Sequence, residues 1–172
     1  GPAQACREGI ATYAAPAYPG ADYQWTVSPA GAGTVISGQG GAAAEVLWHE
    51  DGPATVSVSL CGLTADQPVT VNPLPEPFLQ GPLAVCAGDS ADLTTANAYV
   101  DYAWIGENNQ IISTTPNPQL PPGYYQLQVT DANGCRGDTL FRITDNPLPN
   151  AFIDVPIYAG LCQGGEPAVL TA

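Results

Sequence analysis

One pattern constrains this chain more than any other: a set of residues that recurs in the same order at a single period. The tetrapeptide Asn-Pro-Leu-Pro at 72–75 returns at 146–149, and Cys61 returns at the same shift as Cys135. Self-similarity at a fixed period is typical of chains that repeat one structural unit. The sequence therefore predicts tandem units of about 75 residues.

The predicted units are residues 1–73, 74–147 and 148–172. The first is expected to lack its first strand and the third to hold only the start of a unit, as in a segment of a longer array. The repeated tetrapeptide forms each joint. Its prolines fix their own φ angles and restrict the residues before them, which predicts a semi-rigid, extended connector.

Short runs of alternating apolar and polar residues dominate each unit. The predicted strands span 9–15, 23–27, 34–37, 44–49, 54–60 and 67–71 in the first unit, and 90–96, 100–104, 110–114, 124–130 and 139–144 in the second. Side chains two residues apart on a strand face the same way, so Tyr23 and Trp25 are expected to point into a core. Tyr102 and Trp104 occupy the matching positions of the second unit. Six or seven short strands with turns between them predict a small all-β sandwich of two packed sheets.

The charge balance excludes two classes of partner. Sixteen acidic residues face three basic ones, a net charge of −13. Phosphate binding needs clustered Lys or Arg, so no nucleic acid is expected as a partner. No apolar run reaches the roughly 18 residues that a membrane-spanning helix needs, so no direct insertion into a membrane is expected.

Two stretches of the sequence resemble a known group of repeats. Residues 85–90, 102–104 and 123–135 are similar to the PKD-like and immunoglobulin-like repeats of giant surface proteins in the Bacteroidota, and residues 23–27, 37–40 and 46–48 resemble a sister subtype. The resemblance implies an all-β array of tandem immunoglobulin-like (PKD-like) β-sandwich repeats, elongated and located at the cell surface. Such repeats form stalks of adhesins and gliding proteins exported by the type 9 secretion system. Tyr124 then lies where these sandwiches often carry a tyrosine corner.

Five cysteines in a loop-rich β chain indicate an oxidising compartment. One pairing places a disulfide inside each unit, Cys6–Cys61 and Cys86–Cys135, and leaves Cys162 for a partner elsewhere. In an immunoglobulin-like sandwich, however, the two sites of each pair fall at opposite ends of the strands, roughly 20 Å apart. The alternative is Cys6–Cys135 across the joint, with Cys61 and Cys86 bonded to other units. The sequence alone does not decide between these two disulfide pairings.

Acidic residues at turns are the only candidates for a cofactor site. Asp131, Asn133 and Asp138 surround one predicted turn, and hard oxygen ligands suit Ca²⁺, although the EF-hand spacing is absent. The alternative is that these side chains shape the turn. The single histidine, His49, has no second ligand at metal spacing and is expected at an exposed strand end. No cofactor other than this calcium ion is expected.

Two residues are candidates for covalent modification. Asp89-Ser90-Ala91 and Asp138-Thr139-Leu140 resemble the O-glycosylation triplets of the same bacterial group. The resemblance therefore implies modification at Ser90 and Thr139.

The predicted function is structural, not enzymatic. No nucleophile elbow or phosphate-binding loop is present in the sequence. The chain is expected to be a stalk or filament segment of a secreted, extracellular adhesin, whose partners are further copies of the same repeat within or between chains. Two alternatives are repeats that themselves bind surface glycans or proteins, and accessory domains of a secreted hydrolase.

Overall fold

The computed structural model describes residues 1–149, which form strands joined by turns and, within that range, no helix. The strands of the first half are β1 (Gln4–Cys6), β2 (Ile10–Ala14), β3 (Gln24–Ser28), β4 (Gly33–Ser37), β5 (Ala43–Trp48), β6 (Gly52–Leu60) and β7 (Leu63–Asn72). Those of the second half are β8 (Leu79–Gln80), β9 (Ala84–Cys86), β10 (Ala91–Asp92), β11 (Thr94–Thr95), β12 (Asp101–Gly106), β13 (Ile111–Ser113), β14 (Gln119–Leu120), β15 (Gly123–Thr130) and β16 (Arg136–Asn146). The third predicted unit, apart from residues 148 and 149, lies outside the described range, as does Cys162. Residues 1–149 contain no helix long and apolar enough to cross a membrane.

The first half folds as two sheets. One has the strand order β1-β7-β6-β3 and the other has the order β2-β5-β4. All pairings are antiparallel except that of β1 with β7, which is parallel. The short strand β1 precedes the first strand that the sequence pattern predicted.

The second half follows the same plan with one change of sheet. Its larger sheet has the order β13-β12-β15-β16-β9, and the pairs β11-β8 and β10-β14 form the opposite layer. The short strand β9 again runs parallel to the last strand, β16. The strand that follows the Trp-bearing strand differs between the halves. In the first half this strand, β4, pairs with β5, whereas in the second half it is β13, which pairs with β12 in the other sheet.

The strand order determines the fold class. In both halves a short early strand, β1 or β9, runs parallel to the last strand, and the last hairpin lies beside the Trp-bearing strand. The strand that follows the short one, β2 or β10, pairs in the facing layer. This arrangement is that of an immunoglobulin-like β-sandwich. The chain is all-β and immunoglobulin-like, as the sequence predicted.

Each sandwich has its own hydrophobic core. The first is built from the aromatic residues Tyr13, Tyr23, Trp25 and Trp48 with small aliphatic side chains around them. Tyr13 packs edge-on against Trp48, with ring centroids 6.3 Å apart. Trp48 is completely buried, although the sequence pattern singled out only Trp25 on this side of the joint.

The second core is centred on Trp104, which is fully buried. Phe141 packs edge-on against Trp104 at a centroid distance of 5.9 Å and stacks on Tyr125 at 5.5 Å. Tyr102, predicted to face this core, is half-buried and packs against its rim. The two cores are separated by the linker at 73–78, so each sandwich buries its apolar residues independently of the other.

The exposed edge of the first sandwich is covered by a side chain. Strand β3 lies at the end of its sheet, and the Gln39 amide makes two bonds to the backbone of Trp25. Gln39 Oε1 accepts from the Trp25 N–H at 2.9 Å, and Gln39 Nε2 donates to the Trp25 carbonyl at 2.6 Å. The amide thus takes the place of a neighbouring strand, which removes a template for edge-to-edge association.

Candidate functional site

The joint between the sandwiches is closed by a disulfide bond. Cys6, at the end of β1, is bonded to Cys135, in the turn between β15 and β16, with the two Cα atoms 5.5 Å apart. The two residues are 129 positions apart in the sequence. Cys135 is buried, with 1% of its surface exposed.

This bond corrects the within-unit pairing. Neither Cys6–Cys61 nor Cys86–Cys135 is formed, and Cys61 and Cys86 are unpaired within the described residues. Cys6 lies opposite Asn72 at one end of β7, whereas Cys61 precedes the other end of that strand. Ten residues of β strand span about 33 Å, far beyond the roughly 6 Å between Cα atoms that a disulfide allows. The length of β16 separates the other pair in the same way.

Asn72, the first residue of the tetrapeptide, holds the strand end that carries Cys6 at the joint. The Asn72 carbonyl accepts the Arg7 N–H at 2.9 Å, and the Asn72 side-chain amide donates to the carbonyl of Ala5 at 3.3 Å. The Cys6 carbonyl in turn accepts the Gly9 N–H at 3.0 Å. Proline after Asn72 cannot extend the ladder because it has no N–H, so the strand pair ends where Cys6 must reach across the joint.

A carboxylate arranges the turn that carries Cys135. Asp131 Oδ1 accepts the backbone N–H groups of Asn133 at 2.9 Å and of Cys135 at 2.8 Å. The Asp131 carbonyl also accepts the Gly134 N–H at 3.1 Å. These bonds form an Asx turn, which positions the Cys135 backbone before β16 begins.

Two of the three calcium candidates, Asp131 and Asp138, use their carboxylates in hydrogen bonds. The Asp131 carboxylate is occupied by the turn, and Asp138 lies on β16, where its carboxylate accepts a bond from Gln126 Nε2 at 2.9 Å. Residues 1–149 contain no cluster of three or more acidic, His or Cys side chains able to hold a metal ion. Asp131 and Asn133 therefore shape the turn of the joint, and a calcium site at Asp131, Asn133 and Asp138 stays a prediction.

The linker packs directly against the second sandwich. The Pro75 carbonyl oxygen occupies the space that a side chain at position 137 would need, so only glycine is accommodated there. One residue further on, the carbonyl of Glu76 accepts the Tyr99 hydroxyl at 3.2 Å. These contacts and the disulfide hold the joint on two sides.

Both core tryptophans are tied to the backbone in the same way. The indole N–H of Trp25 donates to the Gly41 carbonyl and that of Trp104 to the Thr115 carbonyl, each at 2.8 Å. In the first sandwich the bond links the Trp-bearing strand to the β4–β5 connection of the facing sheet, and in the second it links that strand to the segment between β13 and β14. Alternation in the sequence placed these side chains in the core, but their hydrogen-bond partners lie 16 and 11 residues away.

The hydroxyl of a tyrosine closes a loop in each sandwich. Tyr23 donates to the Pro16 carbonyl at 2.6 Å, and in the second sandwich Tyr125 donates to the Pro121 carbonyl at 2.8 Å. The second bond is a tyrosine corner, and its residue is Tyr125, not the neighbouring Tyr124, which is exposed. Burial, and secondarily the charge of Glu107, raises the pKa of Tyr125 above its ordinary value.

The remaining candidates lie away from the joint or on the surface. Ser90 is exposed in the segment between β9 and β10, and Thr139 is half-buried on β16. His49 is exposed just after β5, with its ring Nε2 2.9 Å from the Thr34 hydroxyl. None of them contributes to a shared site.

Comparison with known proteins gives weak likenesses to solved structures alone. No family model matches it, and no curated protein does. The C-terminal 282-residue fragment of intimin, crystallised with the intimin-binding domain of its translocated receptor, aligns with 85% of this chain and 62% of its own length, at 12% identity and a TM-score of 0.47. The N-terminal four Ig domains of Dscam1 isoform 9.44 align with 83% of this chain and 42% of their own length, at 12% identity and a TM-score of 0.33. Domains 5-6 of the S-layer protein SbsC align with 82% of this chain and 92% of their own length, at 14% identity and a TM-score of 0.33. At these values the likenesses add no argument to the strand order.

Proposed function

We propose that this chain is a load-bearing, non-enzymatic segment of an extracellular rod, made of tandem units at 1–73 and 74–147 with a third beginning at 148. The proposal takes up the resemblance to PKD-like and immunoglobulin-like stalk repeats of Bacteroidota surface proteins. The disulfide between Cys6 and the buried Cys135 supports an oxidising location outside the cytoplasm, because reducing compartments keep thiols unpaired.

The observation that carries the proposal is the covalent path through the joint. A force applied at the two ends of the chain runs through residues 1–6, crosses the Cys6–Cys135 bond and continues from residue 135. Residues 7–134 lie in a closed loop beside that path, and they include all buried core residues of the first sandwich and all of the second except Ile143. They cannot be drawn out by tension while the bond is intact, so the disulfide limits how far the segment extends.

Single-molecule stretching tests this directly. The full chain is held by handles at Gly1 and Ala172, with Cys61, Cys86 and Cys162 replaced by serine so that only one bond can form. Reduction of the Cys6–Cys135 bond is expected to lengthen the fully unfolded chain by about 430 Å, at roughly 3.4 Å for each of the bypassed residues. The Cys6→Ser variant is the matched control and should show the longer length without reductant. Equal lengths before and after reduction would remove the support for a load-bearing role.

A second function has one observation in its favour. The outer face of the second sandwich's larger sheet exposes Tyr124 and Leu140, which line a shallow groove of about 260 Å³ together with Ile105. The Arg142 guanidinium lies 5.0 Å from the centre of the Tyr124 ring. An exposed aromatic beside a cation on a flat strand surface suits contact with a glycan or a protein.

Binding by this face is tested on arrays of glycans and of extracellular proteins. The Tyr124→Ala variant should lose at least tenfold of any signal, because an aromatic anchor supplies much of the energy at such a surface. Tyr18, which is similarly exposed but lies on the first sandwich, provides the control, and Tyr18→Ala should bind normally. Equal signals from both variants would exclude this face as the binding surface.

A further inference from the structure

We propose that Cys86 and Cys61 are the two half-sites of further cross-joint disulfides, through which this segment bonds to like sandwiches at both of its ends. Cys86 takes the turn cysteine of the sandwich that follows, and Cys61 takes the opening-strand cysteine of the sandwich that precedes. The inference rests on the proposed rod, and it names the rod's partner as another sandwich of the same kind.

The surroundings of Cys86 duplicate those of the bonded Cys6. Cys86 ends β9 opposite Asn146, just as Cys6 ends β1 opposite Asn72. The Ala87 N–H donates to the Asn146 carbonyl at 2.9 Å, the same distance as the equivalent bond beside Cys6.

The match continues one turn further along the chain. The carbonyl of Cys86 accepts the Asp89 N–H at 3.0 Å, and the carbonyl of Cys6 accepts the Gly9 N–H at the same distance. The strand end, the following turn and the tetrapeptide beside it are therefore the same at both sites. The strand-end site that holds a disulfide on the first sandwich is therefore already assembled on the second.

Cys61 occupies the other half-site on the first sandwich. It lies at the tip of the β6–β7 hairpin, where Leu60 pairs with Leu63 and only Cys61 and Gly62 form the turn. Cys135 lies in the corresponding β15–β16 turn of the second sandwich. Both cysteines are thus on the connection between the last two strands, the one that faces a preceding sandwich.

The backbone conformation at Cys61 is one that a cysteine rarely adopts. Its φ angle is +50°, in the left-handed region where two-residue hairpin turns prefer Asn, Asp or Gly. A cysteine there strains the turn without contributing to the core, since Cys61 is exposed. An exposed thiol at the tip of a turn is, however, well placed to reach a neighbour.

The two half-sites cannot satisfy each other within one molecule. Cys61 lies at the end of the first sandwich remote from the joint, and Cys86 lies at the end of the second remote from the joint. Each sandwich is about 30 Å long along its last strand, so the thiols are separated by both lengths. Cys86 of one copy and Cys61 of another combine a strand-end cysteine with a turn cysteine, as Cys6–Cys135 does.

Bond formation needs an oxidant, which a small-molecule disulfide such as oxidised glutathione supplies. The thiolate of one cysteine attacks the oxidant and releases one glutathione thiolate. The second cysteine then displaces the other glutathione from the mixed disulfide. Two thiols are oxidised to one disulfide, and the two electrons and two protons leave with two molecules of reduced glutathione.

Three proteins in a glutathione buffer test the inference, all with Cys162→Ser so that one foreign thiol is removed. The parent retains Cys61 and Cys86, one variant carries Cys61→Ser and the other carries Cys86→Ser. Products are sized by gel filtration with light scattering, and bonds are identified by non-reducing peptide mapping.

Head-to-tail oligomers are expected from the parent, and no disulfide-linked dimer from either variant alone. An equimolar mixture of the two variants should give a dimer linked by a Cys61–Cys86 peptide. Because only complementary half-sites are shaped to meet, this peptide should exceed Cys61–Cys61 and Cys86–Cys86 peptides by about tenfold.

Two outcomes overturn the inference: symmetric dimers from either variant alone in similar yield, or no bond between Cys61 and Cys86 in the mixture. Recovery of the Cys6–Cys135 peptide from every sample shows that the chains are folded. The stretching experiment uses a chain without Cys61 and Cys86, so its result stands or fails separately.

Discussion

Cys6 and Cys135 lie 129 residues apart, on different sandwiches, with their Cα atoms 5.5 Å from each other. The strand end that carries Cys6 is aligned by Asn72, and the turn that carries Cys135 is aligned by Asp131. The bond therefore joins two independently built half-sites across the Asn-Pro-Leu-Pro linker. The prolines stiffen the linker, and the disulfide adds a second covalent connection between the two sandwiches.

Removing this bond should destabilise the chain more than removing an unpaired thiol. Cys135→Ser is expected to lower the free energy of unfolding by about 2–5 kcal/mol, since a large loop is released and a buried position becomes polar. Cys61→Ser, at an exposed turn, should change it by less than about 0.5 kcal/mol. Urea denaturation followed by tryptophan fluorescence measures both, and equal effects would contradict the assignment.

The two tryptophans of the first sandwich should respond differently to truncation. Trp25→Phe removes a hydrogen bond to Gly41 and leaves that carbonyl unpaired, whereas the buried Trp48 indole nitrogen has no hydrogen-bond partner at bonding geometry within residues 1–149. Both substitutions leave a similar cavity. Trp25→Phe should therefore cost about 1–2 kcal/mol more than Trp48→Phe. Chemical denaturation of the two variants provides the comparison, and the reverse order would refute the role given to the Gly41 bond.

The tyrosine corner predicts an alkaline limit to stability. The folded pKa of Tyr125 is raised by burial above the ordinary value of about 10. The neutral phenol is thus the form that the fold favours, and its contribution is complete below pH 10 and lost as the pH rises through the folded pKa.

Tyr125→Phe should reduce this loss of stability above pH 10 and cost about 1 kcal/mol at neutral pH, through the missing bond to Pro121. Tyr124→Phe, at an exposed position whose hydroxyl makes no hydrogen bond within residues 1–149, is the control. Thermal melts between pH 7 and 11 distinguish the two variants. Identical pH profiles for both would argue against the corner.

A glycine in the joint tests how tightly the linker is seated. Gly137→Ala places a methyl group on the Pro75 carbonyl oxygen, which is backbone and cannot rotate away. Gly106→Ala meets only the Ile112 side chain at 3.6 Å, an ordinary contact. The first variant should broaden the distribution of inter-sandwich distances in small-angle scattering, and the second should leave it unchanged.

Gln39 is expected to keep the first sandwich from associating through its edge strand. Gln39→Ala exposes the N–H and carbonyl of Trp25 and should produce concentration-dependent self-association, measured by sedimentation velocity. Gln39→Glu keeps the acceptor for the Trp25 N–H but loses the donor, so it should give an intermediate effect. A monomeric Gln39→Ala variant would show that the edge is protected by other means.

The sequence by itself determined the fold class and the positions that face the cores. Alternation at period two is a local property, and Tyr23, Trp25 and Trp104 are buried where it placed them. Trp48 is a further core residue, since it lies on the same side of β5 as the buried Ala44 and Val46, and the sequence analysis did not name it. Four short strands, β1, β8, β9 and β14, lie outside the predicted ranges, since two or three residues carry too little periodicity to be recognised.

Only the tertiary structure decided which sheet the β4 and β13 strands join and which cysteine bonds Cys6. Similar local sequences occupy different sheets because the choice depends on competition between neighbours on either side, not on the strand itself. The disulfide depends on where strand ends lie in space. Cys61 is nearer than Cys135 to Cys6 along the chain, but the length of β7 separates it from Cys6, whereas folding of two sandwiches about a short linker brings Cys135 within bonding distance.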